Sequence, residues 1–337
     1  MSLSPQRLLA LAARTQDWWD IRVNSEVSAW QLVGPRLFEL VELGHSQELL
    51  RESGDILVRR TYGTVCGSDM PRWSGAEFDA FPAAPGYSMH ETVGVIVRCG
   101  TAEFPEGARV LGMPRDDRGL ASHFVTSPSA CVVIPDDVPD RLACLAQPLA
   151  TVLYALERVG NVHTASVSVL GFGVMGHLIT LLLAARGCSD ITAVDRVQHP
   201  DARDWGVTRY VIASAEETAR SQSADFDLVI DAIGHSASTI DASVHLARRR
   251  GSVLLFGVPA PGATLALDAA FQKNLTVISS VGPPWRAYLE RAMGLVPALA
   301  ARLSGLISET VPFGLADTAY ERYAQFQPGR LKVGVSA

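Results

Sequence analysis

The spacing of apolar residues changes character about 150 residues into the chain. Before that point, apolar positions come in short alternating runs, at 29–33, 38–41, 55–59, 92–97, 109–111 and 131–134, with Gly and Pro between them. Period-two alternation turns one face of each run toward a core and the other toward water, so these runs predict a meandering β region. From Pro148 onward the rhythm lengthens. Segments 149–159, 176–186 and 238–249 read as helices, and 167–170, 191–195, 228–231, 252–256 and 275–280 as strands. These strands are nearly continuous apolar runs, as in Val167-Ser168-Val169-Leu170, which suits central parallel strands covered on both faces. Strand–helix alternation of this kind predicts a doubly wound parallel sheet. After Pro283, one or two helices are expected over 288–303 and a last strand over 331–335. Ser4 as a cap, Pro5 in the first turn and Leu8, Leu9 and Leu11 predict a short helix inside an extension at 1–28. The expected fold class is α/β in two domains: a β-rich one built from 1–150 and 291–337, and a dinucleotide-type sheet domain over 151–290.

Composition narrows the function. With 337 residues, a net charge of -6 and 19% charged residues, the chain has no basic field for a nucleic acid backbone. Hydrophobic content of 48% supports a sizeable core and argues against disorder. The apolar runs fall short of the ~20 residues that span a bilayer, so no membrane partner is expected. Five cysteines, at 66, 99, 131, 144 and 188, are odd in number and scattered, which suits reduced thiols and a cytoplasmic setting better than a disulfide framework. Ser2 to Trp19 lack the basic start and apolar core of a leader.

The first chemical motif is Gly171-Phe172-Gly173-Val174-Met175-Gly176, between a predicted strand and a predicted helix. There the first glycine permits a tight turn, the second lets backbone amides approach a pyrophosphate, and the third lets helix and strand pack closely, with the helix N-terminus facing the anion. Asp195 ends the next strand about 20 residues further on, where a carboxylate accepts hydrogen bonds from an adenosine ribose. That carboxylate favours NAD over NADP, whereas Arg196 beside it could pair with a 2′-phosphate. His177 reads as an ordinary residue of the helix.

The second motif lies earlier. Thr64-Val65-Cys66-Gly67-Ser68-Asp69 is followed by Pro85-Gly86-Tyr87-Ser88-Met89-His90-Glu91-Thr92-Val93-Gly94. A thiolate, an imidazole and a carboxylate are donor types that zinc accepts, and Cys66, His90 and Glu91 supply all three. With the Gly171 motif in the same order and distance, this pattern resembles the zinc-dependent alcohol and polyol dehydrogenases of the medium-chain dehydrogenase/reductase family, from about Ala29 to the end. The resemblance implies a GroES-like β-rich catalytic domain beside a Rossmann domain. It implies a catalytic zinc on Cys66, His90, Glu91 and Gln147, with Asp69 orienting the ligand His and Ser68 passing the proton. It also maps Gly257 and Lys332 to the cofactor, Lys332 near the pyrophosphate. Trp73, Met89, Met113 and Trp285 can be read as pocket walls or equally as core.

Three departures from the family pattern matter. The polyol-type members carry Glu-Pro-Leu-Ala where this chain has Gln147-Pro148-Leu149-Ala150, one negative charge fewer. The four-cysteine lobe is missing, because only Cys99 lies between Val97 and Val125, so no structural zinc is expected. Met70-Pro71 stand where many members have a relay His, so the proton path is expected to run through Ser68 and the nicotinamide ribose. The implied activity is reversible oxidation of a secondary alcohol of sugar, polyol or cyclitol type. The alternatives are a zinc-free enone or quinone reductase of the same family and a non-catalytic dinucleotide-binding protein. The run Leu275 to Val281 carries no charge to protect a sheet edge, so a homodimer through that strand, or a dimer-based tetramer, is expected.

Overall fold

The alternating runs of the first half form strands in a computed structural model that describes residues 26–337 other than 77–79, 100, 224, 326 and 328. The helix expected near the start lies outside the described residues. The chain divides into two compact units, one ending at Gln147 and resuming over Pro284–Ala337, the other spanning Pro148–Pro283.

In the first unit, β1 (Glu26–Gly34) and β2 (Leu37–His45) form an antiparallel pair. The strands β3 (Ile56–Thr64), β4 (Glu91–Cys99), β5 (Arg109–Gly112), β6 (His123–Thr126) and β7 (Cys131–Val133) belong to a larger sheet. Its order is completed by the returning strands β14 (Ile307–Pro312) and β15 (Lys332–Ser336), giving β14-β15-β3-β4-β5-β7, with β6 also paired to β3. The pairing of β3 with β4 sets Thr64 opposite Glu91, and β15 runs antiparallel to β3 with Gly334 opposite Thr64. Three chemistry-bearing segments far apart in sequence therefore share one end of a sheet. A Cβ at Gly94 would stand 2.2 Å from the Arg59 carbonyl oxygen, so only glycine allows the strands this approach. Buried Arg60 donates to Ala121 O and Val335 O at 3.0 and 2.9 Å, which pins β15 against β3. Trp73 and Met89, two of the possible pocket walls, belong to the core with Trp30 and Tyr320.

The second unit holds β8 (Ser166–Leu170), β9 (Asp190–Asp195), β10 (Arg209–Ile212), β11 (Phe226–Asp231), β12 (Ala247–Leu255) and β13 (Thr276–Ser279). All pairs are parallel, in the order β10-β9-β8-β11-β12-β13. Counted within the unit this is 3-2-1-4-5-6, the Rossmann order, in which strand order reverses between β8 and β11. Three strands, β6, β10 and β14, escaped the sequence reading: the first two are four residues long, and β14 follows the helix Trp285–Leu306 without a break. The helix expected over 238–249 stops at Leu246, because Ala247 already pairs with Phe226 as the start of β12. Segment Asp140–Val159 is long and apolar enough by composition to cross a membrane, yet 72% of that window is buried inside the protein, as core helices are.

Candidate active site

Cys66 follows β3 directly and caps a short 3₁₀ turn, Gly67–Asp69. Asp69, fully buried, holds that turn: its Oδ2 accepts from Cys66 N at 2.9 Å and its Oδ1 from Ser88 Oγ at 2.9 Å. The same Oδ1 lies 3.5 Å from His90 Nδ1. Burial by itself would push the His90 imidazole down, but the Asp69 carboxylate and the Cys66 sulfur beside it hold it well above its usual value. The local field thus favours positive charge between Asp69 and Cys66. Cys66, His90 and Glu91 bring one ligand atom each within 4.8 Å of one another.

Glu91 shows how the two oxygens of one carboxylate can differ. Its Oε2 is paired with Lys332 Nζ at 2.5 Å and accepts the Thr64 hydroxyl. Its Oε1 is buried and has no hydrogen-bond partner. Leaving a buried carboxylate oxygen unpaired is costly, and a cation held with Cys66 and His90 would satisfy it. A thiolate, an imidazole and such a carboxylate fit a zinc-type ion. Cys144 also touches this cluster, but burial pushes its thiol up to about 12, and the protonated sulfur donates to Glu91 O at 3.1 Å. Gln147 is buried in the first turn of the helix Ala146–Val159, three residues beyond Cys144. Ser68 sits half-buried in the turn next to Cys66.

Lys332 lies elsewhere than the resemblance implies. It was expected near the cofactor pyrophosphate, yet β15 carries it into the interior of the first unit, where the side chain is 2% exposed, pairs with Glu91 and donates to Val65 O at 3.1 Å. An ammonium committed to these partners is not free for a phosphate. Two tyrosines add to the surroundings and were also missed: Tyr320 donates to Ser88 O, and burial raises the phenols of both Tyr320 and Tyr323. Nothing in the local sequence marks them, since they come from the helix Ala316–Ala324, which packs against β15.

In the second unit the Gly-rich turn joins β8 to the helix Val174–Ala185, whose N-cap is Gly173. Gly171 has φ +90, a conformation that needs glycine. A Cβ at Gly176 would lie 2.2 Å from Gly171 O, whereas the Cβ position of Gly173 is open. The turn is thus tight at its first glycine, closed at its third and accessible at its second, in front of the free N–H groups around Val174 and Met175. Asp195, at the end of β9, accepts from Phe172 N at 2.6 Å through Oδ2 and from Val197 N at 3.0 Å through Oδ1. Gly171, Asp195, Arg196, Ser214 and Glu216 line a cavity of about 330 Å³. Glu216, a second carboxylate facing this space, was not foreseen. Gly257 has a structural reason of its own: a Cβ there would stand 2.3 Å from Gly234 N.

A β-rich unit with a Cys-His-Glu cluster and a Rossmann unit with a glycine-rich turn define a metal-dependent dehydrogenase. The chain matches the zinc-binding dehydrogenase model over residues 174–296 and the alcohol dehydrogenase GroES-like domain model over residues 52–136, and it belongs to the zinc-dependent medium-chain dehydrogenase family. It is 25% identical over 308 residues to D-xylulose reductase A of Aspergillus niger, covering 79% of this chain and 86% of the relative. Galactitol-1-phosphate dehydrogenase of Escherichia coli shares the fold at TM-score 0.77 and 20% identity, over 92% of this chain and 100% of that one. L-Idonate 5-dehydrogenase of the same organism does so at 0.78 and 18%, over 93% and 98%.

Proposed function

We propose that the chain is a zinc-dependent NAD(P) oxidoreductase that interconverts a secondary alcohol of sugar, polyol or cyclitol type with its ketone, using NAD in preference to NADP. The observation that carries this reading is the unpartnered, buried Glu91 Oε1 beside Cys66 and His90. The names of similar proteins, a xylulose reductase and two polyol-type dehydrogenases, support the substrate class. When bound, zinc polarises the alcohol oxygen and the nicotinamide takes up the hydride.

The chain's residues do the rest. Cys66, His90 and Glu91 hold the ion, with Gln147 as the fourth candidate; its neutral amide leaves one negative charge fewer beside the substrate, which eases ionisation of the alcohol. Asp69 fixes the His90 ring through Nδ1, as carboxylates commonly do for ligating histidines. Lys332 and Thr64 keep the second Glu91 oxygen occupied. Ser68 carries the alcohol proton away from Cys66's side of the site. Gly173, Val174 and Met175 offer N–H groups to the pyrophosphate, and Asp195 accepts from the adenosine ribose; Asp195 and Glu216 together disfavour a 2′-phosphate, while Arg196 tempers that preference.

The homodimer belongs to this proposal too, supported by the position of β13 at the sheet edge, with Val277 39% and Val281 84% exposed. A cytoplasmic setting is supported by five unpaired cysteines. Cys66→Ser tests the site: it is expected to lose one equivalent of zinc and turnover while keeping NAD binding, since the Gly-rich turn lies in the other unit. Retained turnover would overturn the reading.

A further inference from the structure

A second group of metal-type donors lies in the Rossmann unit. His177, in the first turns of the helix after Gly173, and His199 and Asp201, in the segment after β9, bring one ligand atom each within 4.8 Å of one another. His177 is fully buried, and its Nδ1 lies 2.8 Å from Gly173 O. A carbonyl only accepts, so Nδ1 carries the proton and Nε2 the lone pair. That Nε2 is buried and has no hydrogen-bond partner. A histidine whose far N–H is fixed by a backbone carbonyl is oriented as metal-ligating histidines are.

The surroundings hold the other members in place. Phe172 stacks on the His177 ring at 4.0 Å and Trp205 meets it edge-on at 4.8 Å. Trp205 Nε1 donates to Asp201 Oδ2 at 3.2 Å, so the carboxylate has its own orienting partner. Between Asp195 and His199 the chain is fixed by Val197 N to Asp195 Oδ1 at 3.0 Å and by Tyr210 Oη to Val197 O at 2.6 Å. His199 is half-buried and Asp201 exposed, so two of the three donors lie toward solvent. Ligand atoms on a tetrahedral ion sit about 3.3 Å apart, so small rotations of the two outer side chains close the set.

We propose that His177, His199 and Asp201 bind a second divalent transition ion of the zinc class, separate from the alcohol site. Two imidazoles and a carboxylate suit such an ion and leave a position for water. Bound there, it would clasp the segment after β9 to the first turns of the helix that follows the Gly-rich loop. The missing four-cysteine lobe removes one place for a second zinc, and this cluster provides another.

The test uses the full chain, freed of metal by chelator and returned to zinc alone, with bound metal counted by elemental analysis. Wild type is expected to hold two zinc ions, Cys66→Ser one, His199→Ala one, and the double variant none. Asp201→Asn should weaken the second ion by at least about tenfold. His199 and Asp201 lie toward the surface, so these variants should keep their far-ultraviolet dichroism, and the buried His177 need not be touched. In Cys66→Ser, nickel should quench the fluorescence of Trp205, and adding His199→Ala should abolish the quenching. Unchanged zinc content in His199→Ala, or quenching that survives it, would overturn the proposal. Failure of the alcohol-site reading would appear separately, as Cys66→Ser losing no zinc.

Discussion

Replacing Lys332 by Met would test how the buried Glu91 carboxylate is held. Nζ and Oε2 are 2.5 Å apart and both side chains are almost fully buried. At an effective dielectric of 20 their attraction is about 7 kcal/mol before the cost of burying the two charges. Most of that gross value is offset by desolvation, but the offset for Glu91 remains when Lys332 is removed. Breaking such a pair typically costs about 3–5 kcal/mol, because one charge stays buried without its partner. Lys332→Met should therefore destabilise the metal-free first unit by about that amount. Adding Glu91→Gln should recover more than half of the loss, since no uncompensated charge then remains. Restoring zinc should also narrow the deficit in the single variant, because the ion supplies the missing positive charge. Urea unfolding followed through Trp30 and Trp73, both in the core of that unit, reads all three comparisons. A loss below about 1 kcal/mol in the single variant, or a double variant as unstable as the two single losses added, would mean that Lys332 does not hold the buried Glu91 carboxylate.

Asp195→Ala should weaken NAD by about 1.5–3 kcal/mol and narrow its advantage over NADP in paired titrations, as expected for loss of a charged hydrogen-bond acceptor; a wild type that prefers NADP would mean that Arg196 dominates. Val277→Pro should turn a dimer into a monomer by light scattering, because proline removes a donor from the edge strand that the pairing uses; a wild-type mass near one 36.1 kDa chain would contradict the dimer. Asp55 is buried, which alone would raise its carboxyl, but Arg115 and the N–H groups of Arg51 and Glu52 hold it at about 2 against an ordinary 3.8. Its stabilisation, about 2 kcal/mol, should be fully present above pH ~4 and lost as pH falls toward 2, and Asp55→Asn should remove that segment of the acid unfolding curve.

The residues that were legible in the sequence sit in short, self-contained motifs. Cys66, His90 and Glu91 each lie beside glycines and small residues whose spacing carries the pattern, and the run from Gly171 to Gly176 shows its helix and strand in the flanking apolar residues. What stayed hidden depends on pairing across the chain. Lys332 reaches Glu91 only because β15 returns to β3 with Gly334 opposite Thr64, a register that no local pattern encodes. His177 looked like an ordinary helix residue because its companions, His199 and Asp201, follow the next strand. Strands β6 and β10 were missed for a simpler reason: each is four residues long, too short for alternation to stand out from a loop, while β14 continues directly from a helix and carries Ser308, Glu309 and Thr310 in a row.

Alcohol-dependent reduction of the nicotinamide, followed by the absorbance of its reduced form, decides whether the chain is a zinc-dependent alcohol dehydrogenase. A panel of polyols, cyclitols and sugars, offered with NAD and with NADP, should reveal at least one secondary alcohol that is oxidised, faster with NAD. The rate should vanish when zinc is chelated and return when zinc is restored. No oxidation across the panel with either cofactor, or oxidation that chelation leaves unchanged, would contradict the account.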